Sequence, residues 1–182
     1  MCTRSTFATL TAACLLVACA TTVSPLTSFP RAAFGQLAAA DLITAWDISI
    51  APTGAGLPAG GGSAREGAAI YQQQCASCHG ERGGGKPADA LVGGSGSLTT
   101  SAPLRTVGSY WPYATTLFDY TRRAMPLNKP MSLSNDEVYA VSAYVLHLNG
   151  LISEDDRLDA QSLPKVRMPN REGFVNEWPP RR

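Results

Sequence analysis

Three stretches of this chain repeat apolar residues at helical spacing, and polar or glycine-rich sequence separates them. In the first, Ser63 followed by Glu66 has the form of a capping box, and Gly67, Ile70 and Tyr71 then share one face. This predicts a helix from residue 63 that runs straight into Cys75. In the second, Tyr113, Leu117, Tyr120 and Ala124 fall at 4-3-4 spacing, with Pro112 suited to the first helical position and Arg122 and Arg123 in the last turn. In the third, Ser134 and Glu137 form another capping box, Val138, Val141, Val145 and Leu148 line one face, and Asn149-Gly150 supplies the stop. Trp46 to Ile50 alternates apolar and polar, which predicts a short extended segment. Residues 52–64 hold five glycines and two prolines and read as a loose loop, as does the glycine-rich run from Gly80 to Gly96. Residues 151–182 hold four prolines and no helical period, so an irregular extended tail is expected. Three helices and no sustained strand pattern predict an all-α fold.

Length and charge narrow the picture. The chain has 182 residues and a formal net charge of +1, room for one domain plus tails and no basic excess that would suit a nucleic acid. Arg4 is the only charge before Arg31, and Phe7 to Ala20 is apolar or small throughout. That run has the length of a signal-peptide core and is too short to span a bilayer. It ends in Leu16-Val17-Ala18-Cys19, which resembles the lipobox at which a cysteine is acylated. The expected organisation is a lipoprotein-type signal at 1–18, a tether and extended segment at 19–62, a domain at 63–150 and an extension at 151–182. Export to the bacterial periplasm with a lipid anchor on Cys19 follows. Of the five cysteines, Cys2 and Cys14 leave with the signal and Cys19 takes lipid, so Cys75 and Cys78 remain.

Those two belong to Cys75-Ala76-Ser77-Cys78-His79, the pattern of covalent haem attachment. Each thiol adds across one vinyl group, and the histidine that follows lies under the iron as proximal ligand. A thioredoxin-like redox pair needs a βαβ context, and a zinc site needs two more ligands; the sequence offers neither. One haem c is therefore the expected cofactor. For the sixth position the domain offers Met125, Met131, Met168 and His147. Met125 precedes Pro126 and lies forty-six residues past His79, in a loop between two helices, and is the expected ligand; Met131, His147 and an open site are the alternatives. Pro87 has two readings: its carbonyl accepts the second ring N–H of His79, or it is a plain loop proline. Tyr110, Trp111 and Tyr113 either pack in the core or, through Trp111 or Tyr113, hydrogen-bond a haem propionate. Gly80 to Lys86 matches the opening of a phosphate-binding loop, but Pro87 stands where Ser or Thr is required and no strand precedes it.

On these residues the chain resembles the class I cytochromes c. Residues 45–175 look more narrowly like the cytochrome partners of periplasmic molybdenum sulfite and sulfur dehydrogenases, the Sox type above all. The likeness rests on Thr106-Val107-Gly108-Ser109-Tyr110-Trp111-Pro112-Tyr113-Ala114, on Arg122-Arg123-Ala124-Met125-Pro126, and on Leu163-Pro164-Lys165-Val166-Arg167-Met168-Pro169-Asn170-Arg171. It implies three to five helices around one covalent haem, with extended terminal segments, and His79 and Met125 on the iron. It also implies a molybdenum enzyme as electron donor and a downstream cytochrome or terminal oxidase as acceptor.

Three functions compete. The first is an electron-accepting subunit or partner of a sulfite- or sulfur-oxidising molybdenum enzyme, not itself catalytic. The second is a general periplasmic shuttle to a terminal oxidase. The third is a peroxidase-like haem enzyme, which needs an open sixth site. Arg105, Arg122, Arg123 and Lys129 all fall in segments expected around the methionine side, where they form a candidate docking patch.

Overall fold

In the computed structural model, which describes residues 35–175, both capping boxes form. Ser63 accepts from the Glu66 amide at 3.2 Å while Glu66 accepts from the Ser63 amide at 2.7 Å, and helix α2 (Ala64–Gln74) starts there. The same exchange between Ser134 and Glu137 starts the longest helix, Asn135–Leu148. Numbered in chain order, the elements are α1 (Ala40–Trp46), β1 (Gly61–Ser63), α2, α3 (Ala76–His79), α4 (Ala114–Ala124), α5 (Asn135–Leu148) and β2 (Arg157–Asp159). The fold is all-α apart from one two-stranded ribbon in which Gly62 pairs with Leu158. None of the described helices is long and apolar enough to cross a membrane. The signal and Cys19 lie outside the described residues.

Helices α2 and α5 make the principal crossing. Gly67 permits it: a Cβ there would fall on the backbone carbonyl of Ala140 and 2.9 Å from the Tyr144 Cβ. Tyr71, one turn on, packs against Tyr144 with ring centroids 5.2 Å apart. Gly67→Ala is therefore expected to destabilise the protein by about 3 kcal/mol, the upper range for overpacking against atoms that cannot move aside. Chemical denaturation of the folded protein measures it.

Helix α4 differs from its expectation in two ways. Tyr113 is the extended residue before the helix (φ −136°, ψ 133°), so the helix begins two residues past Pro112. Its buried face is Ala114, Leu117, Phe118 and Thr121, not the Tyr113/Tyr120 stripe. Phe118 decides the rotation, because it is fully enclosed and its ring lies 4.4 Å from that of Tyr139 on α5. Tyr120 stays 51% exposed, edge-on to Trp111 at 5.9 Å.

Two further expectations are corrected. Trp46 closes helix α1 instead of opening an extended segment; Asp41 in the first turn favours the helix, and the Thr44 hydroxyl turns back onto the Ala40 carbonyl (2.9 Å). Five alternating residues are too few to tell the two periods apart. The tail beyond residue 150, described to residue 175, is not wholly irregular: it carries strand β2 and belongs to the same core as α2, α4 and α5. It contributes Leu158, Leu163, Val166 and Met168, all buried. At about 1.5–3 kcal/mol for each such side chain, the tail's share is on the order of a domain's whole stability margin.

Candidate haem site

Cys75, Cys78 and His79 are brought together by one turn of chain. The Cys75 amide still bonds to Tyr71 of α2 at 2.9 Å, and the amides of Cys78 and His79 both turn back to the Cys75 carbonyl, at 3.1 and 3.0 Å. The two thiols are free; Cys75 is half-buried against the core and Cys78 is exposed. Burial, and then the neighbouring Cys78 thiol, push the Cys75 thiol up to about 11. A thiol shifted this way is unsuited to be the nucleophile of a Cys-x-x-Cys redox pair, which attacks as the thiolate. A zinc centre is equally unsupported: among the described residues no three of His, Cys, Asp and Glu gather as a ligand set.

The imidazole of His79 is oriented by a backbone carbonyl. Its Nδ1 lies 2.8 Å from the Asp89 oxygen. A carbonyl only accepts, so Nδ1 carries the proton and Nε2 keeps its lone pair for a metal. The partner is Asp89, not Pro87. The Ala88 amide bonds the Cys78 carbonyl at 2.9 Å, which brings residue 89 to the ring and leaves Pro87 exposed. No side-chain signal announces a backbone acceptor, so the sequence had no means of choosing between the two.

The glycine-rich loop does not form an anion cradle. Its amides face the protein's own carbonyls: Gly83 bonds Gly80 at 3.0 Å and Gly85 bonds His79 at 2.8 Å. The preceding element is helix α3, not a strand.

Ala76 on this turn and Leu91 in the loop that follows are half-buried and packed on the core, as are Trp111 and Leu133 elsewhere in the fold. Two thiols at this spacing and an imidazole with Nε2 available, on a turn packed against an apolar core, fit a covalently attached haem.

The remaining predicted residues are placed as follows. Met125 leaves the end of α4 with an extended backbone (φ −120°, ψ 146°) and is half-buried beside buried Pro126. Met131 is 51% exposed, whereas Met168 is enclosed in the core. His147 has its Nδ1 3.3 Å from the Ile152 carbonyl. Trp111 and Tyr113 are half-buried. Tyr113 lies under the Arg171 guanidinium, 4.5 Å from the ring centre, which ties the tail to the start of α4. Tyr71 and Asn149, read from sequence only as a helix-face residue and a helix stop, both bond the loop beside His79.

Residues 62–145 match the family described as cytochrome C oxidase, cbb3-type, subunit III. A chain in the crystal structure of the sulfane dehydrogenase SoxCD from Paracoccus pantotrophus is 40% identical, with a TM-score of 0.75, over 81% of this chain and 73% of that one. A protein named thiosulfate dehydrogenase from Stutzerimonas stutzeri (strain A1501) is 30% identical over 138 residues, 68% of this chain and 42% of that protein. The chain thus spans about two fifths of the length of that curated relative.

Proposed function

The chain belongs to the cytochrome c family, and on that premise we propose that it carries single electrons on one haem for a sulfur-oxidising molybdenum enzyme. The observation that carries this reading is the 40% identity to the sulfane dehydrogenase chain, over 81% of this chain. When bound, the haem supplies an iron that alternates between ferric and ferrous states. Cys75 and Cys78 would hold it through thioethers, and His79 through Nε2 and Met125 through its sulfur would ligate the iron. A thioether ligand would raise the potential, which suits an acceptor of electrons from a dehydrogenase. Oxidation of the sulfur compound belongs to the partner. We also place the protein in the periplasm, with Cys19 as its lipid anchor.

Of the four proposed docking residues, one is engaged in an ion pair. Arg123 is held by Asp119 one turn back, with its Nε at 3.0 Å and its second nitrogen at 2.9 Å. Arg105, Arg122 and Lys129 form no ion pair among the described residues, and they carry the patch. The test is stopped-flow reduction by a purified sulfite-oxidising molybdenum enzyme over a range of salt. Replacing the three by glutamine is expected to slow association about tenfold at low ionic strength and to flatten its salt dependence. Arg123→Gln is expected to leave that dependence in place and to cost only the few tenths of a kcal/mol, roughly, of a half-exposed helical pair. A parent rate that ignores salt contradicts the patch, and no reduction at all contradicts the donor.

A further inference from the structure

We propose that Tyr71 and Asn149 are positioning residues for the haem iron: they pin the two ends of the 80–94 loop, so that the Asp89 carbonyl fixes the His79 ring. The inference rests on the haem-ligand role proposed for His79.

The loop needs external anchors. It contains no helix or strand, and Gly80, Gly83, Gly85, Gly93 and Gly94 all have positive φ. Such a sequence has much conformational freedom to lose on ordering. Yet the hydrogen bond to the His79 ring, at 2.8 Å, comes from its middle.

Tyr71 secures the near end. It is fully buried, and its hydroxyl donates to the Gly80 carbonyl at 2.9 Å, one residue past His79. Asn149 secures the far end from the C-cap of α5. Its Nδ2 donates to the Leu91 carbonyl at 3.1 Å and to the Val145 carbonyl of its own helix at 2.9 Å. Its Oδ1 accepts from the Gly93 amide at 3.1 Å. The amide group also lies against Gly108, where a Cβ would collide with it. Between the anchors the loop closes on itself, with the Leu91 and Val92 amides on the Gly83 carbonyl at 2.8 and 3.0 Å. A continuous set of hydrogen bonds therefore joins α2 and α5 to the segment that bears Asp89. An outer partner that orients a ligating imidazole also sets how strongly the ring donates to its metal.

The experiment uses the haem-loaded protein and three variants. Tyr71→Phe removes the hydroxyl and keeps the ring against Tyr144. Asn149→Ala removes all three side-chain bonds. Tyr139→Phe is the control: Tyr139 is also fully buried and donates to the Pro58 carbonyl at 2.9 Å, away from this loop. Solvent exchange of the His79 Nδ1 proton, read by NMR of the paramagnetic protein, is expected to quicken about tenfold in the first two, the effect of one lost hydrogen bond. Their midpoint potentials are expected to rise, because a weaker Nδ1–H bond leaves a less basic ligand. Tyr139→Phe is expected to lose thermal stability and to keep both parent values. Unchanged exchange and potential in Tyr71→Phe and Asn149→Ala would overturn the inference alone. So would equal changes in Tyr139→Phe at a matched loss of stability. A parent protein without thioether-bound haem would overturn the inference and the proposed function together, and its haemochrome spectrum reports that first.

Discussion

Met125→Ala is expected to abolish the far-red charge-transfer band of ferric thioether-ligated haem, and Met131→Ala to keep it. The backbone at Met125 leaves α4 just as the side chain becomes half-buried, and buried Pro126 follows it. The other two methionines sit differently. Met131 is 51% exposed on a residue with φ 60°, in the loop before α5. Met168 is 3% exposed and already surrounded by core side chains. Loss of the thioether removes a ligand that favours ferrous iron. The midpoint potential should fall by on the order of 0.1–0.3 V, part of the roughly 0.8 V range that axial ligands command. Survival of the band in Met125→Ala would move the sixth ligand elsewhere and revive Met131 or His147.

The second large effect is expected from the paired replacement of Cys75 and Cys78 by serine. It should eliminate covalent haem, leaving a product from which acidified organic solvent extracts any haem. A fall in thermal stability should accompany it, because a group bound only by the folded state stabilises that state. The single variants are expected to differ. Cys75→Ser places a hydroxyl where a half-buried thiol packs against the core, while Cys78→Ser alters an exposed position. Cys75→Ser should therefore be the less stable of the two by about 1 kcal/mol, in the range for a poorly partnered hydroxyl. Equal stabilities would contradict the packing assigned to Cys75.

What the sequence reveals and what it hides follow from the range of each interaction. The caps at Ser63 and Ser134 are local, four-residue signals, and both helices start where those signals place them. The haem motif is local too, and its three chemical groups come together on one turn. The face that α4 buries is not local. Leu117 belongs both to the expected stripe and to the observed face, and contact between Phe118 and Tyr139 across α5 chose between the two. The tail was illegible for the same reason: Leu163, Val166 and Met168 follow no period, because an irregular chain buries residues wherever the surface beneath it allows. At the site, the hidden elements are the long-range ones. The Asp89 carbonyl reaches His79 across a ten-residue separation, and Asn149 reaches Leu91 across fifty-eight.

The most direct test of a haem-carrying cytochrome is the intact mass of the mature protein, followed by peptide mapping across residues 65–82. The account predicts the mass of one haem on the peptide that holds Cys75 and Cys78, with both thiols consumed and acyl chains on a new N-terminal Cys19. Two free, alkylatable thiols and no added haem mass would contradict its central claim.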